Sequence, residues 1–105
     1  MLDVVRAEHF NALIGQVCRI ESEDGADLTL TVERVHLRPE AQLPGTKDKR
    51  EPFSVLLVAA GETGWVEGPC SLEIPGLGRL ENVHMARTVP QSADLSKAYY
   101  QIMFN

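Results

Sequence analysis

Apolar and polar positions change period along the chain, and the changes mark out its elements. Over residues 6–14, Phe10, Leu13 and Ile14 fall on one face of a helix. Gly15 follows as a stop, because glycine accepts the left-handed conformation at a helix end without a Cβ penalty. About two turns of helix do not hold in isolation, so this segment needs a sheet or a barrel mouth to cover.

From residue 16 the period becomes two. Residues 16–22 predict a strand with Cys18 and Ile20 inward. Asp24-Gly25 is a hairpin turn, and 27–37 is the returning strand, with Leu28, Leu30 and Val32 on one face. Val35 and Leu37 then switch phase, which one extra residue near Glu33-Arg34 explains as a β-bulge. Residues 38–52 form a long polar connection with Pro39, Pro44, Gly45, Pro52 and the charge run Lys47-Asp48-Lys49-Arg50-Glu51. Connections of this length are usually functional or disordered. Phe53 to Ala60 is apolar on both faces and predicts a central strand covered on two sides, with the N-terminal helix a candidate cover. Gly61 to Gly68 is a turn carrying Trp65, and 69–74 is a strand. Pro75 to Gly78 is a tight turn. Residues 79–89 are a strand in which Leu80 and then Val83, Met85 and Val89 change phase, a second bulge. A polar loop over Pro90 to Ser96 leads to a last strand, 97–104, with Tyr100, Ile102 and Phe104 inward.

One short helix and about six antiparallel strands, with no internal repeat, predict a mainly β domain. A small antiparallel β-barrel or a compact sandwich hides the edges of such strands best. The 105 residues read as a single domain, 1–105, large enough to form a core without metal or disulfide staples.

Charge narrows the partners. Ten Lys and Arg against fifteen Asp and Glu leave a formal net of −5. That is no footprint for nucleic acid, and it disfavours an anionic membrane surface. No apolar run approaches the ~20 residues of a membrane-spanning helix, and Met1 to Phe10 has no apolar stretch of a secretory signal. The expected location is the cytoplasm, unless a larger assembly carries the domain out.

Candidate chemistry is sparse. Cys18 and Cys70 are too few for a disulfide framework and lie outside any Cys-x-x-Cys. Both fall on the apolar phase of strands and read first as small buried hydrophobes, a bridge or a reactive thiol being the alternatives. His9, His36 and His84 each stand alone, without the close spacing of metal ligands. His36 and His84 would form a site only by meeting across strands. Glu21, Glu23, Asp24 and Asp27 make an acidic hairpin end that lacks the length of a calcium loop and reads as a solvated turn. No serine lies in a nucleophile elbow, and no glycine-rich phosphate loop is present. No catalytic residue, metal or cofactor is therefore expected. Two features bear on binding. Trp65 lies in a polar, glycine-flanked turn, where it is either an interface anchor or a cap folded over the barrel. Arg38, Lys47, Lys49 and Arg50 gather positive charge in the long connection, which either docks an acidic partner or is simply solvated.

Several segments, in this order, carry a family likeness. They are the opening helix ending Phe10-Asn11-Ala12-Leu13-Ile14-Gly15-Gln16, the Asp24-Gly25 hairpin with Leu28 and Leu30, and Pro52-Phe53-Ser54-Val55-Leu56-Leu57. Leu72-Glu73-Ile74-Pro75 with Leu77-Gly78, Val89-Pro90 and the ending Tyr100-Gln101-Ile102-Met103-Phe104-Asn105 complete them. Together they resemble a small bacterial domain family that carries no assigned activity. The resemblance implies a small β-barrel with no catalytic residues to transfer. Through association with phage-tail-collar-like fibre proteins, it also implies a role in making or holding a surface fibre. Cys18 and Trp65 depart from the family pattern, and with them any transferred binding surface. The expectation is a non-enzymatic structural or protein-interaction module, a subunit or assembly factor of a phage-tail-like or surface fibre. It would bind another protein, or a second copy, through a sheet edge or through the loops bearing Trp65 and Lys47 to Arg50. The alternative is a small-ligand-binding β-barrel.

Overall fold

The alternating segments become six strands: β1 (Val17–Ser22), β2 (Asp27–Leu37), β3 (Phe53–Ala59), β4 (Glu67–Ile74), β5 (Gly78–Thr88) and β6 (Ala98–Phe104), preceded by α1 (Ala7–Asn11). The computed structural model describes residues 5–38, 52–61, 63–75, 77–90 and 93–104. The strands close into an antiparallel barrel in the order β1-β2-β3-β6-β5-β4. Two three-stranded meanders, β1-β2-β3 and β4-β5-β6, thus meet along two seams. At one seam β3 pairs with β6 along its whole length, from Phe53 opposite Phe104 to Ala59 opposite Ala98. At the other, β1 meets β4 only through Ile20–Leu72, Glu21–Ser71 and Ser22–Cys70. Exchanging β1 with β4, β2 with β5 and β3 with β6 leaves the order unchanged, so the topology has an internal two-fold that no sequence repeat reveals.

Both phase switches are bulges. The register between β2 and β3 slips from Val32–Leu57 to Arg34–Leu56, which leaves Glu33 as the extra residue. Between β4 and β5 it slips from Cys70–Val83 to Leu72–Leu80, with the surplus on β5. Asn82, in that surplus, has a positive φ of 58°; asparagine is one of the few residues other than glycine that tolerates this region. Bulges add the bending and twist that a narrow barrel needs.

The inward positions pack the bore. Ile20, Leu30, Val32, Val55, Leu57, Leu72, Leu80, Met85, Tyr100 and Ile102 are all essentially inaccessible. Beyond the first bulge, Val35 packs against this core only partly and Leu37, at the strand tip, is exposed.

Four expectations need correction. The helix ends at Asn11 instead of running to residue 14. A tight turn follows, in which Leu13 N–H donates to the Phe10 carbonyl and Gly15 N–H to the Val32 carbonyl, 2.7 Å. Gly15 adopts φ +86° there, and Ile14 turns outward, 47% exposed. The chain leaves the helix early because pairing to β2 satisfies its backbone better than another half-turn would. Second, β3 is not a central strand covered on both faces. Phe53, Val55, Leu57 and Ala59 face the bore, and Leu56 and Val58 are half-buried on the outer wall. Third, α1 covers a barrel end instead of the face of β3. Phe10 inserts its ring against Phe53 and Phe104, with centroids 6.2 and 5.5 Å away, while Phe53 and Phe104 stack at 4.8 Å. Fourth, closure gives each strand two neighbours, so among the described residues there is no lone sheet edge to offer an incoming strand.

Candidate functional site

In the ring of strands β3 and β4 lie opposite one another. The chain between them, of which residues 60, 61 and 63–66 are described, crosses the mouth of the barrel away from α1. Trp65 lies on that crossing. Its side chain is 9% exposed and belongs to the core, packed on the ring of Tyr100 with centroids 5.6 Å apart. The Tyr100 hydroxyl, buried in mid-barrel, donates to the Trp65 carbonyl at 2.7 Å and meets the Thr63 hydroxyl. From β5, the Arg87 guanidinium donates to the Thr63 carbonyl at 3.2 Å and lies 6.0 Å from the centre of the Tyr100 ring. One phenol and one guanidinium thus hold the crossing in place.

Trp65 as placed caps the barrel. The physical reason is the crossing itself: a chain spanning a barrel mouth must cover the apolar bore beneath it, and the largest apolar ring does so. Arg38 stands at the opposite end, where its N–H donates to the Pro52 carbonyl at 2.7 Å and its guanidinium touches the Met103 sulfur at 3.5 Å. Lys47, Lys49 and Arg50 lie outside the described residues. The structure therefore separates Trp65 from Arg38 by the length of the barrel.

Beside the cap is a cavity of about 360 Å³, lined by Ser22, Glu23 and Asp24 from the β1–β2 turn, by Trp65, and by Glu67, Gly68 and Pro69 opening β4. Asp24 accepts from the Ser22 hydroxyl and from the Ala26 N–H at 3.3 Å. These bonds, with a smaller one from the Trp65 side chain, hold its carboxyl below the ordinary aspartate range. On the rim, Glu67 faces the His84 imidazole at 3.3 Å. Gly68 has φ +152°, and a Cβ there would lie 3.5 Å from Cζ2 of Trp65. Glycine therefore leaves the indole edge bare toward the cavity.

The acidic turn reads in the sequence as merely solvated. Its approach to Trp65 and Glu67 is a consequence of the β1–β4 pairing, for which local patterning carries no signal. A second concavity, on the outer wall between Arg19, Glu21, Glu73 and Arg79, is a lattice of exposed ion pairs. Arg19 meets Asp27 at 2.7 Å, and Arg79 lies 3.7 Å from Glu21 and 3.4 Å from Glu81. Such exposed pairs contribute little.

His36 and His84 do not meet. β2 and β5 are opposite in the ring, and both histidines point outward. Among the described residues no group of His, Cys, Asp or Glu is placed to hold a metal ion, and no helix is long and apolar enough to cross a membrane. Cys18 and Cys70 are free and buried. Burial pushes both thiols up, Cys70 to about 11.

Residues 5–104 match the family described as "Domain of unknown function (DUF6916)", and the chain belongs to that family. The match supports the sequence-level likeness to a small domain family without an assigned activity. No curated protein and no solved structure matches the chain.

Proposed function

We propose that this DUF6916 domain is a non-enzymatic protein-interaction module whose binding surface is the barrel end crossed by residues 60–66. The observation that carries this reading is the exposure of three apolar side chains on the connections at that end, two of them the most exposed large apolar residues among those described. Leu95 is 85% exposed, Val89 74% and Val66 60%. The Arg87 N–H donates to the Val66 carbonyl at 2.8 Å, which ties the crossing to the end of β5 that leads into Val89. Exposed apolar side chains gathered beside polar groups are the usual mark of a protein contact surface. Among the described residues the other exposed large apolar side chains are Ile14, Val17, Leu37 and Met103. With no free sheet edge among the described residues, side chains on the connections carry recognition in this reading.

The chemistry of the cavity supports a binding role. Catalytic acids and bases are poised near their working pH, whereas Asp24 is held below the ordinary carboxylate range by its hydrogen bonds. A ligand housed in the bore would have to displace Leu57, Met85, Tyr100 and their neighbours. The partner in this reading is another protein or a second copy. In the fibre setting that the family likeness implies, the domain serves as subunit or assembly factor, cytoplasmic until an assembly carries it out.

The test is affinity capture of the tagged domain from its host with cross-linking and mass spectrometry, alongside a Val89→Asp/Leu95→Asp variant whose fold is checked by circular dichroism. A stoichiometric partner cross-linked to residues 61–68 or 89–97, and lost with the variant, supports the reading. A partner attached at the α1 end, or one the folded variant retains, overturns it.

A further inference from the structure

We draw no further inference here: the strongest candidate, the end of the β1–β4 seam where Val17, Cys18 and Arg19 pair with β2 but not with β4 and a concavity of about 250 Å³ opens beside Arg19, Glu73 and Arg79, is a stretch of outer wall for which nothing in the structure shows what covers it.

Discussion

Removing the Tyr100 hydroxyl tests whether the crossing is held as described. Tyr100→Phe keeps the ring, so its contact with Trp65 and the nearby Arg87 guanidinium persist. What disappears is the donor to the Trp65 carbonyl, 2.7 Å away in a buried setting, and the partner of the Thr63 hydroxyl. An exposed hydrogen bond would contribute little net. Here the orphaned carbonyl stays beneath the crossing, so the desolvation cost is added, and the loss should be about 1–3 kcal/mol. Domains of this size carry about 5–15 kcal/mol in total, so the effect is a sizeable fraction, equivalent to a fall in Tm of roughly 4 °C or more per kcal/mol. Guanidinium denaturation followed by far-ultraviolet circular dichroism measures it, and Trp65 emission, shifted to the red as the cap loosens, localises it. A loss below about 0.5 kcal/mol with native emission would show that the phenol is not what fastens the crossing.

Three further outcomes follow from the packing and the titrating groups. Phe10→Ala removes a fully buried ring from the Phe53–Phe104 stack and should cost about 3–5 kcal/mol by denaturation; a loss under about 1.5 kcal/mol would mean that α1 is dispensable as a plug. Cys70, with its thiol pushed up to about 11, should resist aromatic disulfide reagents in the native state at pH 8, since roughly one thiol in a thousand is ionised; rapid modification without unfolding would refute its burial. The Asp24 carboxyl is lowered in the fold, so its contribution is present above the ordinary carboxylate range and lost as pH falls through its lowered value. The stability gap between the native chain and Asp24→Asn should therefore close on acidification, and a gap unchanged down to about pH 2 would contradict the assignment.

The strands were legible because the bore demands alternation: Cys18 and Ile20, Leu28, Leu30 and Val32, and Tyr100, Ile102 and Phe104 each declare an inward face. Even the bulges show, since an extra residue flips the phase at Glu33 and again before Val83. Partnership did not show. Nothing in β3 or β4 says that they stand on opposite sides of the ring, so the crossing, the cap and the meeting of Asp24 with Trp65 and Glu67 stayed hidden. The same blindness made β3 look like a doubly covered strand. Its outer residues, Leu56 and Val58, are apolar but only half-buried, and periodicity does not distinguish a barrel wall from a sandwiched sheet. The end of α1 departs from the periodicity for a related reason. Ile14 keeps helical spacing, but the backbone had already turned to pair with Val32.

The two seams of the barrel differ in length, and this sets how the molecule comes apart. Breaking the three pairs that join β1 to β4 unrolls the cylinder into one curled sheet that keeps the full β3–β6 ladder. That opening is the cheapest large fluctuation available, so amides of Ile20 to Ser22 and Cys70 to Leu72 should exchange with solvent before those of Val55 to Val58. An unrolled chain presents β1 and β4 as raw edges. Two such chains can close on each other, the β1 of one laid along the β4 of the other in both directions, to give an exchanged dimer with no new contact invented.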